Sequence, residues 1–347
     1  MRARGMTYDT GFVRKGAISR DDLAPEVVRR ELAIIRDDLH CNAVQIIGGV
    51  PLRLELAGRC AADLGLEVWF SPYPLELEAD EILALFADCA ERAERLRKDG
   101  ASVVFVAGAE ISLMNRGFIP GDSVGERLAR LLTDPDRPQR VAEVGARVNE
   151  FLARAVAVVR ERFSGQITYA AVPMERVDWT PFDFITLELI RSADVADQFR
   201  DGVRALVAQG KPVAITGFGT ATYRGAGDRG GQAMEIVESD PDTGAPIRLR
   251  GEYVRDEAEQ ARYLSEVLEV FATEGVDSAF VFLFALHGYP HRPAGDPRDD
   301  LDLASFGIVK VLEASRGATY PDMGWEPKLA FGAVASRYRE ERDRHRA

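Results

Sequence analysis

Eight short apolar segments alternate with amphipathic segments along most of the chain, and this alternation limits the folds open to it. The apolar segments have the length of buried strands and lie at residues 5–11, 43–48, 67–72, 102–109, 166–172, 184–188, 212–218 and 278–285. Helical spacing marks residues 25–39, 52–64, 81–98, 141–163, 195–209, 257–274 and 327–338. Strands separated by helices form parallel sheets, so the pattern predicts an α/β fold.

The number of strands favours a closed barrel over a doubly wound sheet. A dinucleotide-binding sheet would carry a glycine-rich phosphate loop after its first strand, and this chain has none there. We therefore predict a single (β/α)8 TIM barrel over residues 1–338 and a charged C-terminal tail over residues 339–347. Long loops are predicted after strands four, seven and eight, at residues 111–137, 220–255 and 286–307, all at the end of the barrel where active sites form.

Composition excludes several classes of partner. The 347 residues carry 44 basic and 56 acidic side chains, a net charge of −12, which argues against a nucleic-acid partner. No segment approaches the about 18 uninterrupted apolar residues of a membrane span, and no signal peptide is apparent, so we expect no membrane partner and a cytoplasmic location. The three cysteines show no C-x-x-C spacing and are predicted to be buried thiols. The sequence does not fix an oligomeric state.

Two strands end in glutamates that are candidates for catalysis. Glu110 follows the apolar run Val103-Val-Phe-Val-Ala-Gly-Ala109, and Glu188 ends the sixth strand. Burial at the barrel mouth would raise the pKa of Glu110 and let it donate a proton near neutral pH. Glu188 would then be the partner of Glu110 in an acid and base pair. The structural alternatives are ion pairs, of Glu110 with Arg116 and of Glu188 with Arg191 or Arg224.

The seventh strand, Lys211-Pro-Val-Ala-Ile-Thr-Gly217-Phe-Gly219, together with the fourth, resembles a clan A glycoside hydrolase barrel. In that clan the fourth strand ends in the acid/base glutamate and the seventh in the nucleophile, often within T-E-F-G. The resemblance assigns the acid/base role to Glu110 and the nucleophile position to Gly217, with Ala109 where the clan typically has Asn. Glycine cannot attack a sugar, so a standard retaining mechanism needs a substitute carboxylate. Natural loss of hydrolysis, natural change of reaction and laboratory substitution are the open explanations.

Three further segments resemble a family of bacterial barrels that often carries the label "abortive infection protein". They are residues 222–231, 253–263 and 300–307. This resemblance covers most of the chain and implies the same fold, but it names no chemistry.

Several polar and aromatic residues near strand ends are candidate substrate contacts. They are Asp9, Gln45, Tyr73, Trp179, Tyr223, Arg224, Phe284, His287 and Tyr289, with Glu175, Asp178 and Trp69 as further candidates near the mouth. A divalent metal held by His287, Glu110 and Glu188 is the alternative to their binding of substrate. Because His287 lies in a loop with glycine and proline, we predict no metal and no cofactor.

These features support one main functional hypothesis and two alternatives. The main one is a glycoside hydrolase-like enzyme that uses Glu110 as general acid/base on a glycoside or other polyoxygenated small molecule, without the standard nucleophile. The first alternative is a non-hydrolytic biosynthetic enzyme, such as a cyclase, dehydratase or rearrangement enzyme, with a less sugar-like substrate. The second is a pseudo-glycosidase that binds a carbohydrate without turnover.

Overall fold

The computed structural model describes residues 1–240 and 243–344, and its centre is a nearly closed barrel of eight parallel strands. The strands are β1 (Ala3–Asp9), β2 (Ala43–Gly48), β3 (Glu67–Pro72), β4 (Val103–Ala109), β5 (Gln166–Ala170), β6 (Ile185–Glu188), β7 (Val213–Gly217) and β8 (Ser278–Val281). Their order is β5-β4-β3-β2-β1-β8-β7-β6. Ala171 closes the gap between β5 and β6, since its amide donates to Thr186 (3.0 Å) and its carbonyl accepts from the Glu188 amide (2.9 Å). The predicted (β/α)8 barrel is confirmed.

Helices surround the barrel and form its outer layer. They are α1 (Pro25–Asp37), α2 (Pro51–Asp63), α3 (Ala79–Lys98), α4 (Ile111–Met114), α5 (Val124–Thr133), α6 (Arg137–Arg160), α7 (Ala196–Val207), α8 (Glu257–Glu274) and α9 (Leu329–Arg344). Both α1 and α2 begin at a proline, whose fixed φ suits the first helical position. Within the described residues, the connection from β5 to β6 has only a single 3-10 turn, Pro173–Glu175.

The last helix extends beyond the predicted end of the barrel. α9 continues to Arg344, and the buried Glu341 lies 3.4 Å from the amino group of Met1. Residues 339–344 are therefore part of the outer layer and not a separate tail. Residues 345–347, which the tail prediction also included, lie outside the described residues.

The lower half of the barrel interior is filled by aromatic rings. Trp69 packs against Phe184 and Phe280 with ring centroids 5.1 and 4.7 Å away, and its indole nitrogen donates to Glu67, the first residue of β3. Trp69 was expected at the mouth. That prediction is wrong, because the third position of β3 points inward near the N-terminal end of the strand.

Loops cover the other end of the barrel. The loop after β7 contains a 3-10 segment, Ala226–Met234, and a hairpin of Val237–Ser239 with Pro246–Leu249; residues 241–242 lie outside the described residues. Val309–Val311 pairs with Trp325–Pro327 after β8. None of the described helices is long and apolar enough to cross a membrane. The three cysteines are buried and unbridged, as predicted.

Candidate active site

The end of β4 bends sharply at Glu110. Pairing with β5 shifts register between Val106 and Ala109, and Gly108 has a φ of 84°. Glu110 itself has a φ of 45° and a ψ of 39°, a left-handed conformation that costs a residue with a side chain about 1–3 kcal/mol. Bulges of this kind redirect a side chain at the rim of a barrel. The bend places the Glu110 carboxyl near two other carboxyls, those of Glu188 and Glu175.

The carboxylate of Glu188 occupies the space beside Gly217. The two residues are register partners on β6 and β7, again directly after a register shift. The Thr216 hydroxyl donates to one carboxylate oxygen of Glu188 at 2.8 Å. A Cβ atom built on Gly217 would overlap the other oxygen. Any side chain at position 217 would therefore displace Glu188, so the glycine and the glutamate form one structural unit.

Burial makes both carboxyls weak acids. The pKa of Glu110 is raised to about 8. Burial is the largest cause, and the nearby carboxyls of Glu188 and Glu175 add to it. Burial also raises the pKa of Glu188 to about 7; the Thr216 hydrogen bond opposes this shift and Glu175 adds to it. Both side chains are largely enclosed by protein and keep some accessible surface. The pair therefore retains a proton at neutral pH.

Glu175 supports this arrangement from below and is not a substrate contact. It is fully buried, and one of its oxygens accepts from the amide (3.0 Å) and hydroxyl (2.7 Å) of Ser112. The other accepts from the Tyr169 hydroxyl (2.8 Å) and the Val172 amide (3.2 Å). Tyr169 in turn accepts from the amide of Ile111, the residue after Glu110. This network fixes the backbone that follows Glu110.

Four of the predicted substrate contacts lie around the mouth. Tyr73 follows β3. Burial is the main cause that raises the pKa of its hydroxyl, and the nearby Glu110 and Glu188 raise it further. Asp9 accepts from the Gly11 amide at 2.7 Å, and its other oxygen is buried without a partner. Burial raises the pKa of Asp9 to about 6. His287 and Tyr289 follow β8, and burial lowers the pKa of His287 well below its usual value, so this imidazole is neutral.

Three other predicted contacts are buried away from the mouth. Gln45 lies inside the barrel, where it accepts from Thr7 (3.0 Å) and donates to Ser71 (3.3 Å). Phe284 packs edge-on against Trp325 at 5.0 Å in the layer between barrel and helices. The Tyr223 hydroxyl donates to the Ala233 carbonyl at 3.2 Å within the loop core. These side chains fill space or brace loops, which corrects their prediction as substrate contacts.

Trp179, Asp178 and Arg224 also lie elsewhere. The carbonyl of Trp179 accepts from Lys211, just before β7, so this residue lies toward the N-terminal end of the barrel. Asp178 there is exposed and accepts from the Thr180 amide. The Arg224 side chain is 70% exposed and lies 3.9 Å from Asp256. The predicted contacts of Trp179 and Asp178 with substrate are wrong because their loop runs toward the N-terminal end of the barrel. Arg224 lines a different cavity, beside Asp228 and Glu259, and its contact with substrate stays a prediction.

The predicted ion pairs of the two candidate catalytic carboxyls are absent from the described part of the chain. Arg191 instead pairs with Glu266 at 2.8 Å and stacks on Tyr263. Arg116 forms no ion pair with Glu110 within residues 1–240 and 243–344. In the same residues, no group of three His, Cys, Asp or Glu side chains is arranged to hold a metal ion.

The hairpin after β1, which the sequence prediction missed, adds a residue to the mouth. It pairs Val13–Arg14 with Ala17–Ile18. The signal that could have identified it is Lys15-Gly16, a two-residue turn sequence ending in glycine. Arg14 is partly buried beneath the hairpin of the β7 loop.

Comparison with solved structures supports the fold. No model of a protein family and no curated protein sequence matches the chain. Bacteroides uniformis beta-glucuronidase 2, bound to cyclophellitol-6-carboxylate aziridine, aligns with a TM-score of 0.56 and 14% identity over 92% of this chain and 33% of that one. Thermotoga maritima Cel5A in complex with cellobiose aligns with a TM-score of 0.51 and 13% identity, over 88% of this chain and 97% of that one. The apo structure of a beta-glucosidase, 1317, aligns with a TM-score of 0.56 and 12% identity over 98% of both chains.

These neighbours are clan A glycoside hydrolases, and at such low identity the likeness shows the fold alone. The present chain spans about a third of the length of the beta-glucuronidase. The comparison therefore supports the (β/α)8 barrel fold. The resemblance to bacterial abortive infection proteins stays a prediction.

Proposed function

We propose that this chain is a glycoside hydrolase-like enzyme whose acid and base are Glu110 and Glu188. The observation that carries the proposal is the carboxylate of Glu188 in the side-chain space of Gly217. Glycoside hydrolysis uses two carboxyls that flank the scissile bond. In this barrel the second carboxyl comes from β6 and replaces the one that the clan A resemblance expects on β7.

The two carboxyls have different environments and hence different roles. Burial raises the pKa of Glu110, so its carboxyl holds a proton that it donates to the glycosidic oxygen as general acid. Glu188 is held by the Thr216 hydroxyl, which stabilises its ionised form, and acts as general base on a water molecule. In this proposal the unpartnered oxygen of Asp9 and the hydroxyl of Tyr73, which lies beside both glutamates, bind sugar hydroxyls.

The position of Glu188 favours inversion at the anomeric carbon. Its carboxylate lies where the side chain of residue 217 would begin, whereas a glutamate on β7 would carry its carboxylate farther from the strand. A carboxylate withdrawn toward the strand leaves room for a water between base and sugar. Inverting glycosidases hold their two carboxyls about 6.5–9.5 Å apart to admit that water, compared with about 5 Å in retaining enzymes.

A second candidate is a non-hydrolytic enzyme that uses the same acid and base. A cavity of about 340 Å³ adjoins the mouth at Tyr73, and Leu75, Leu77 and Leu85 line part of it. Such a lining suits a substrate that is less polar than a sugar. A cyclisation or dehydration would need only the proton transfer that Glu110 and Glu188 provide.

Hydrolysis of a panel of aryl glycosides tests the proposal, with the anomer of the first product identified by NMR. The unchanged chain should hydrolyse at least one glycoside with inversion. Glu110→Gln and Glu188→Gln should each reduce kcat/KM by about 10²–10⁴. Retention of configuration, or full activity of Glu188→Gln, would contradict it. Sugar binding without any turnover would instead favour the second candidate or a binding module.

A further inference from the structure

The hairpin after β1 holds Arg14 in a defined place. Its two-residue loop, Lys15 and Gly16, has φ values of 49° and 81°, the positive pair that a type I′ turn requires. At its base, the Phe12 amide donates to the Ser19 hydroxyl (2.8 Å) and the Ser19 amide to the Phe12 carbonyl (2.9 Å). The backbone of Arg14 is therefore fixed before any ligand binds.

Loops from four strands meet around Arg14. The adjacent Phe12 ring packs edge-on against Tyr73, after β3, at 5.2 Å. A Cβ on Gly244, in the hairpin after β7, would lie 3.1 Å from Cδ and 3.8 Å from Nη1 of Arg14. The charge of Arg14 also opposes the rise that burial causes in the pKa of the Tyr73 and Tyr289 hydroxyls. The guanidinium group thus lies over the mouth.

Arg14 has no counter-charge within residues 1–240 and 243–344. Its Nε is buried and has no hydrogen-bond partner, and no carboxylate there pairs with it. Arg20 from the same segment is also buried, yet it donates to Glu31 at 2.9 Å and to the Asp9 carbonyl at 2.8 Å. Burying an unpaired polar or charged group is unfavourable, so such a group at a substrate cavity indicates a partner that arrives with the ligand.

The charged lining of the adjoining cavity, as distinct from its leucines, favours an anion as that ligand. Arg116 lines it together with Tyr73. Its acidic lining residue, Glu76, is paired at 2.6 Å with the fully buried Arg127. A guanidinium group matches the two oxygens of a carboxylate, sulfate or phosphate and binds them through paired hydrogen bonds.

We propose that Arg14 determines specificity by binding an anionic group of the substrate, so that the site takes acidic glycosides and not neutral ones. This inference rests on the proposed glycosidase-like function, which it deepens by naming the substrate class. The shared chemistry is a tetrahedral or planar oxyanion on the sugar. The test distinguishes carboxylate, sulfate and phosphate because it uses a separate sugar ligand for each.

The test is calorimetric binding of matched sugars to the unchanged chain. Methyl glucoside and methyl galactoside are compared with their uronate, 6-sulfate and 6-phosphate counterparts. At least one anionic sugar should bind roughly 10- to 100-fold more tightly than its neutral counterpart, as expected for charge-assisted hydrogen bonds. Arg14→Met should abolish this preference, and Arg14→Lys, which keeps the charge without the fork, should retain part of it. Arg29→Met, at a 56% exposed side chain on α1, is the matched control and should keep it all.

Three results would overturn the inference. They are equal or tighter binding of the neutral sugars, no binding of any anionic sugar at millimolar concentration, and an unchanged preference in Arg14→Met. The proposed function fails separately. Anionic preference without hydrolysis would leave this inference standing, whereas hydrolysis of neutral glycosides without anionic preference would refute only the role of Arg14.

Discussion

Two buried glutamates, Glu31 behind β1 and Glu110 at the mouth, have opposite surroundings. Glu31 accepts hydrogen bonds from Tyr8 (2.5 Å), Arg20 (2.9 Å) and Trp325 (2.9 Å). The carboxyl of Glu110 receives none from the described residues, and its nearest charges include those of other carboxyls. Buried polar groups are normally paired, so the first glutamate holds the protein together. The second has no such partner in an unfavourable place, and the proposed function accounts for this by reserving Glu110 for a substrate.

The largest contrast should appear in catalysis. Glu110→Gln removes the acid but keeps the shape, so kcat/KM on a hydrolysed glycoside should fall by about 10³, or roughly 4 kcal/mol of transition-state stabilisation. Its melting temperature at pH 6 should not fall. Full activity of this variant would show that Glu110 is as structural as Glu31.

Glu31→Gln should have the reverse effect. It leaves Arg20 without its buried carboxylate, and breaking a buried ion pair costs about 3 kcal/mol or more of the free energy of unfolding. Urea unfolding measures the loss, and activity per folded molecule should remain. Unchanged stability would refute the structural role of Glu31.

Gly217→Ala should cost less, about 1–3 kcal/mol of stability, because the added methyl group must displace the Glu188 carboxylate. Activity should fall together with stability. Gly202→Ala on α7 is the control, since nothing lies within 4 Å of the added Cβ. It should be neutral or stabilising by about 0.5–1 kcal/mol. Equal behaviour of the two alanine variants would show that Glu188 does not depend on Gly217.

The last comparison concerns pH. The pKa of Glu110 is raised from 4.5 to about 8, so the folded state binds more protons than the unfolded state between these values, and stability falls as pH rises through that window. Glu110→Gln cannot titrate and does not lose this stability. Its melting temperature should exceed that of the unchanged chain by more at pH 8.5 than at pH 5. A constant difference would contradict the raised pKa.

The sequence was sufficient to predict the barrel and, to within one residue, the C-terminal ends of β4, β6 and β7, whereas β1 and β8 end before the residues predicted for them. Apolar runs separated by helical patterns determine which residues end β4, β6 and β7, and therefore where Glu110, Glu188 and Gly217 lie. The overlap between Glu188 and Gly217 was not predictable, because it depends on a register shift at Leu187 and Glu188. A shift of one residue reverses which face a side chain occupies.

Loop residues were predicted less well, for a related reason. Phe284 and Tyr223 follow their strands closely, but the path of each loop turns them into the core. Conversely, Arg14 stands in a stretch without an apolar pattern, and only the turn at Lys15-Gly16 indicates the hairpin that carries it over the mouth. Strand alternation does not extend into loops, so their side-chain directions require the structure.

The most direct test of the account moves the carboxylate from β6 back to β7. Activity and product anomer are measured for Gly217→Glu, for Glu188→Gly and for the double variant Glu188→Gly/Gly217→Glu. We expect Gly217→Glu alone to be inactive, because two carboxyls would compete for one space. The double variant should regain hydrolysis, now with retention of configuration. If Gly217→Glu alone were more active than the unchanged chain, Glu188 would not be the substitute carboxylate and the central claim would be refuted.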